Sequence, residues 1–234
     1  SRNQDRQSVM TVEKHEILRD AAAKQGWRWA AGAAAMPLAV FVIYTALRAI
    51  SESWNNDAFP DALAVKLELL PLVFPVHMVT GGLALLLVPA TLLLRGTRWH
   101  SWMGRLTALD VVVAGVTAIP VALEAPVTPV SAAGFATQGL VWMALCAAGI
   151  WQIRRGNTDA HRRAMLLMAA VTSGAMFFRI CLALWAIFGW RAGFKTFYAC
   201  DAWVAWGLPL LVMLWLTRPS TGRRSPAIST ARAQ

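Results

Sequence analysis

Six blocks of apolar residues, each roughly 17 to 26 residues long, alternate with short polar stretches, and a helix of that length crosses the hydrocarbon of a bilayer. The pattern predicts spans over Trp29 to Ile50, Leu69 to Leu94, Arg105 to Glu124, Gly134 to Ile153, Ala164 to Phe188 and Ala199 to Thr217. The predicted fold class is an all-α integral membrane protein. It is a six-span transmembrane helix bundle over residues 27–217, with spans two to five as its core and spans one and six outside. Residues 1–26 are polar, with Val9, Met10, Ile17, Leu18 and Ala21 loosely on one helical face among Lys and Arg, which predicts an interfacial helix. Residues 218–234 are small and polar and read as a disordered tail. Between spans one and two, Ser51 to Glu68 mixes acids with Phe59, Leu63 and Leu67, which suits a short surface helix. No apolar run with a small-residue cleavage site precedes the first span, so no secretory signal is expected in this chain. No internal repeat is evident.

Composition supports that class. With 57% hydrophobic and 15% charged residues, the chain is too apolar for an ordinary soluble domain. The formal charge of +10 raises nucleic acid as a partner, but the basic residues crowd the ends of the apolar blocks, so topology explains them and no nucleic acid is expected. Let face B be the face at the N-terminus and at the end of span two, and face A its opposite. Arg2, Arg6, Lys14, Arg19, Lys24, Arg28, Arg95, Arg98, Arg105, Arg154, Arg155, Arg162, Arg163, Arg218, Arg223, Arg224 and Arg232 lie on B. Arg48, Lys66, Arg191 and Lys195 lie on A, seventeen against four. The positive-inside rule makes B the cytoplasm, with both termini inside. Tryptophan, which prefers the headgroup level, agrees: ten of the twelve fall near span ends, and only Trp142 and Trp206 are interior.

Cys146, Cys181 and Cys200 are odd in number and lack CxxC spacing, which indicates neither a zinc site nor a disulfide framework; apolar packing suits Cys146 and Cys181. There is no phosphate-binding glycine loop, GxSxG or HExxH, and no lysine lies inside a span to hold retinal. Ionisable residues within spans are costly and direct attention to function. Arg179 lies about 13 Å and His77 about 12 Å below face A at 1.5 Å per residue. If spans two and five are neighbours, both line one polar pocket, with Thr80, Thr172, Ser173 and Tyr198 as supports and Pro71, Pro75 and Pro89 shaping the span. Arg179 would then hold an anionic or carbonyl-bearing ligand such as a quinone head, and His77 would exchange a proton or ligate a metal. The alternative is structural: Arg179 pairs with Glu124 or Asp201 while His77 hydrogen-bonds a carbonyl.

A second pair lies at face B. His100 precedes span three and His161 precedes span five at the same membrane level. Two imidazoles from different helices can ligate a b-type haem, or share a divalent metal with Asp159 or Asp110. The alternative is an interfacial cap for each. Asp110 lies about one and a half turns inside span three, with Arg105 or His100 as its nearest partners in sequence and a salt-bridged structural role as its expectation. His15 takes no role.

The order His77 with Thr80, Gly81 and Gly82, His100 with Gly104 and Arg105, His161 with Arg162, Arg163 and Met165, and then Arg179 resembles the domain-of-unknown-function 2306 family of bacterial predicted membrane proteins. Where the family usually has a basic residue after the second histidine, this chain has Ser101. The resemblance implies a membrane fold in the bacterial inner membrane and no established activity. Similarity to b-type cytochrome bundles extends only to histidines at helix ends. The leading expectation is a redox-related inner-membrane protein binding haem or quinone, with His100 and His161 as ligands and His77 with Arg179 as a second site. Its rivals are a non-catalytic subunit packing small-residue faces such as Ala31 to Ala35 and Ala144 to Gly149 against partner helices, and a small-molecule transporter. The missing internal repeat counts against transport.

Overall fold

A computed structural model describes residues 36–37, 39–51, 53, 55 and 61–218. The expected N-terminal interfacial helix, the start of the first span with its Ala31 to Ala35 face, and the C-terminal tail lie outside the described residues. Within them the chain is helical, with no strand: α1 (Ala39–Ser51), α2 (Asp61–Leu69), α3 (Val73–Leu93), α4 (His100–Leu123), α5 (Pro129–Arg154), α6 (Thr158–Phe188) and, after a 3-10 turn at Arg191–Gly193, α7 (Phe194–Leu216). Five of these, α3 to α7, are long and apolar enough to cross a membrane. The expected second to sixth spans map onto them in order. The surface helix expected before span two is α2.

The expectation misplaced most starts. Helices α4 to α7 each begin five or six residues before the apolar run does. The reason is local capping by polar residues that a hydropathy count discards. At α5, Thr128 Oγ1 accepts the Ser131 N–H (3.0 Å), Ser131 Oγ accepts the Thr128 N–H (3.2 Å), and Pro129 follows with its φ already set for a helix. At α6, Asn157 Oδ1 accepts the Ala160 N–H (3.1 Å).

Helices α3 to α6 form a ring. α3 packs on α4 and α6, and α5 packs on the same two, so α4 and α6 face each other across one diagonal and α3 and α5 across the other. α7 lies outside, against α5 and α6. The buried centre is Ala84, Val88, Val111, Ala114, Trp142, Cys146, Met168 and Val171, closed by Trp206 from α7. Trp142 donates its indole N–H to Thr172 Oγ1 (2.9 Å) and Trp206 donates to the Ala202 carbonyl (2.8 Å), so both interior tryptophans have satisfied donors. The outer faces are apolar and uncovered: Leu109 is 65% and Leu211 63% exposed, with Val112 and Val116 beside the first and Leu208 and Val212 beside the second. Surfaces of that kind belong against lipid rather than water.

Two hairpins build the ring, α3 with α4 and α5 with α6. Each turn contains a glycine in the left-handed region, Gly96 (φ 84°) and Gly156 (φ 74°), where a side chain would be strained. Beside these turns Arg98 lies over Trp99 (5.3 Å) and Arg155 over Trp151 (3.7 Å), anchoring pairs suited to a headgroup layer.

Candidate functional site

All three described histidines are held in the same way. His77 Nδ1 lies 3.1 Å from the Ala114 carbonyl, His100 Nδ1 3.0 Å from that of Thr91, and His161 Nδ1 2.9 Å from that of Gly149. A carbonyl only accepts, so each Nδ1 carries the hydrogen and each Nε2 keeps its lone pair in the neutral ring. Ligating histidines are commonly oriented this way, through a second nitrogen anchored on a carbonyl. For His100 the carbonyl has a clear origin: Thr91 is in the last turn of α3, whose carbonyls lack partners within the helix.

His100 and His161 sit at the same end of the bundle, on the diagonal helices α4 and α6, each fastened within its own hairpin. They are not joined by a hydrogen bond. Asp110 lies ten residues beyond His100, about 15 Å along α4, too far to share an ion with it. Among the described residues no three His, Cys, Asp or Glu side chains gather to hold a metal ion. The three-ligand version with Asp159 or Asp110 therefore has no support here. A pair of imidazoles from two helices needs no third protein ligand.

Toward the opposite end lies His77, on α3, and α3 packs on α6, as the shared pocket requires. The charges of Arg179 and Lys66 both reach the His77 ring. Thr117 Oγ1 stands 3.4 Å from His77 Nδ1 and donates to the Val113 and Ala114 carbonyls. Of the expected supports, Thr80 touches His77 through its backbone, its Oγ1 donating to the His77 carbonyl (3.4 Å), and all four have other partners. Thr80 bonds the Val76 carbonyl (2.7 Å), Ser173 that of Ala170 (2.7 Å), and Thr172 is engaged by Trp142. Tyr198 packs edge-on against Phe135 and Phe178. Hydroxyls at helical positions bond back one turn unless something better is in reach, which sequence spacing does not reveal.

The structural alternative is borne out for His77, which bonds a carbonyl, but not in its pairing of Arg179. Arg179 Nη1 donates to the Ala175 carbonyl (2.8 Å) in its own helix. Asp201 instead accepts from the Cys181 thiol, which corrects the reading of Cys181 as plain packing, and its second oxygen is buried without a partner. Glu124 acts on Lys66, whose Nζ donates to the Val121 carbonyl (2.7 Å) and to that of Glu124, closing the C-terminal end of α4. Lys66 lies in α2, outside the spans; burial pushes its pKa below the usual lysine value while the Glu124 charge opposes the shift. Asp110 is 8% exposed and its Oδ2 is buried with no hydrogen-bond partner, contrary to the expected salt bridge at that oxygen.

Sequence reasoning missed Thr117, Lys66 and Gln138. Gln138 exposes a likeness between the two hairpins. His77 stands 23 residues before His100 and Gln138 stands 23 before His161. Gln138 Nε2 donates to the Val171 carbonyl of α6 (3.3 Å) as His77 does to Ala114 of α4. Each hairpin is thus tied by a polar side chain of its first helix bonding the second, and by a histidine at the start of the second bonding the first. The signal was the equal spacing; residue identity masked it, because His faces Gln.

The family model described as "Predicted membrane protein (DUF2306)" matches residues 74–217, which spans α3 to α7 and more than half of the chain. No curated protein and no solved structure matches.

Proposed function

From the premise that the chain belongs to the DUF2306 family of predicted membrane proteins, whose description names no activity, we propose that it is a redox protein of the bacterial inner membrane. It binds a haem between His100 and His161. The observation that carries this reading is the shared tautomer: both Nδ1 atoms are bound to carbonyls, so both Nε2 atoms are left as ligands, at one end of the bundle and on diagonal helices. When bound, the haem supplies a one-electron couple. The chain's own residues position it and hold it away from water. The basic rim of face B, with Arg98, Arg105, Arg155 and Arg162, docks an acidic partner protein or anionic lipid. In this reading face B is cytoplasmic and six spans place both termini there, which the charge asymmetry supports.

A second reading concerns the other end of α4. Arg179 and Lys66 give His77 a positive surrounding, which favours an anionic or carbonyl-bearing head such as a quinone, with His77 Nε2 accepting a proton from it.

Absorption spectra of the detergent-purified chain, oxidised and then reduced, test the haem reading beside a His100→Ala, His161→Ala double variant. A reducible haem band present in the parent and lost in the variant is expected. Folded protein that stays colourless after incubation with haemin refutes it. For the second reading, a soluble quinone should protect the parent but not His77→Ala or Arg179→Gln against thermal unfolding; equal protection of all three refutes it.

A further inference from the structure

Polar contacts recur along the α3–α4 interface, among the apolar core residues Ala84, Val88, Val111 and Ala114. From α4, the side chains of His100, Thr107 and Thr117 and the carbonyls of Ala114, Val121 and Glu124 supply polar contacts with α3 and α2. His100 bonds Thr91; Thr107 Oγ1 meets Thr91 Oγ1 (2.7 Å); Ala114 and Thr117 meet His77; the carbonyls of Val121 and Glu124 take Lys66. Between the two threonines and His77 stands Asp110, buried, with Oδ2 unpartnered.

The α5–α6 hairpin shows that a buried acid is not needed to build such a unit. Counting from the histidine that begins each second helix, Thr107 corresponds to Met168, Asp110 to Val171 and Thr117 to Phe178. The α5–α6 hairpin makes two cross-helix ties of the same kind, with the Trp142 bond to Thr172 between them and no acidic residue in that interval. An acid at the centre of only one of two like hairpins has a purpose other than holding helices together.

We propose that the α3–α4 seam is a transmembrane proton path with Asp110 as its relay. A proton entering at the membrane face where α4 begins crosses the Thr91–Thr107 hydroxyl pair and binds the Asp110 carboxylate, forming one O–H bond. It leaves that oxygen for water in the interval toward Thr117 and His77, and exits beside Lys66 and Glu124. Asp110 returns to the carboxylate, so one positive charge crosses for each proton and no other reactant is consumed. The intervals, ten residues from His100 to Asp110 and seven from Asp110 to Thr117, are about 15 Å and about 10 Å along the helix, each short enough for a few waters between fixed groups. The path needs neither haem nor quinone.

The test is proton flux in liposomes carrying the full chain, driven by a potassium gradient with valinomycin and followed with an interior pH dye. The parent should acidify the interior faster than protein-free liposomes. Asp110→Asn should reduce the protein-dependent rate at least tenfold, Asp110→Glu should retain most of it, and Cys200→Ser, away from the seam, should match the parent. A parent rate equal to that of empty liposomes, or an Asp110→Asn rate equal to the parent's, overturns the proposal. Should Asp110→Asn fail to fold, Thr107→Val keeps the shape and removes a hydroxyl: a several-fold loss supports the path, and an unchanged rate overturns it.

Discussion

The packing of α7 on α6 includes one close approach, at Gly174, and an alanine there tests it. A Cβ on Gly174 of α6 would stand 2.5 Å from Trp206 Cβ and 2.9 Å from its Cα, with Gln138 Nε2 at 3.0 Å. Carbon atoms rest at about 3.5 to 4.0 Å, so α6 and α7 must part by about 1 Å. A backbone atom cannot swing aside as a flexible side chain can. Overpacking of this kind costs about 1 to 3 kcal/mol, and crowding the Gln138 amide weakens its bond to Val171, worth about 0.5 to 1.5 kcal/mol. Against these, replacing a helical glycine by alanine gains up to about 1 kcal/mol. Gly207, in α7, isolates that gain because nothing lies within 4 Å of its added Cβ. The expected result is Gly174→Ala destabilised by about 1 to 3 kcal/mol and Gly207→Ala neutral or stabilised by up to about 1 kcal/mol. Their separation, about 1 to 4 kcal/mol, is a factor of about five or more in the unfolding constant. Unfolding in mixed micelles of increasing sodium dodecyl sulfate content, followed by circular dichroism, reads it. Gly174→Ala as stable as Gly207→Ala would refute the α6–α7 packing and with it the position of Trp206 in the core.

Three further outcomes are expected. The lowered pKa of Lys66 means the folded state binds fewer protons than the unfolded between that pKa and the ordinary lysine value of 10.5, so stability should rise with pH through that alkaline window; Lys66→Met should abolish the rise, and a parent without one speaks against the burial of Lys66. Trp142→Phe removes the bond to Thr172 and should cost about 0.6 to 1.7 kcal/mol in the same titration, whereas a neutral change would detach the indole from that partner. With face B cytoplasmic, a cysteine at Lys195 in a cysteine-free background should react with a membrane-impermeant maleimide added to whole cells, and one at Arg98 only after permeabilisation; the reverse pattern would invert the topology.

Most of the scaffold was legible because lipid imposes one-dimensional rules. Runs such as Leu83 to Val88 or Leu208 to Met213 must be helical in hydrocarbon to satisfy their own backbone. Burial of Trp142 and Trp206 followed from their distance to any span end. The starts of α5 and α6 were written in Thr128, Pro129, Ser131 and Asn157, and were missed because capping residues are polar. The site was legible as a set of residues and not as a set of partners. His77 and Arg179 are conspicuous in any apolar run, but which carbonyl or hydroxyl meets them depends on which helices are neighbours, and single-chain periodicity is silent on that. Lys66 illustrates the point: its charge reads as topology, while its place beneath the end of α4 requires α2 to fold back over 55 residues to Val121.

The strongest separation between a structural and a functional Asp110 lies in stability itself. A polar contact between membrane helices is worth about 0.6 kcal/mol on average, and an unsatisfied buried acceptor costs about 1 to 3 kcal/mol. Asp110 Oδ2 is such an acceptor, in a helix whose counterpart carries Val171 at the matching position. Replacing the acid by an apolar residue of similar size removes that cost and supplies packing, so Asp110→Leu should be more stable than the parent, by about 1 kcal/mol or more, while abolishing proton flux. A residue retained at a cost in stability and needed for a measurable activity is what a functional group inside a membrane looks like. Should Asp110→Leu instead unfold at lower detergent than the parent, the carboxyl has a partner that stabilises the α3–α4 hairpin, and the seam is structural glue rather than a path.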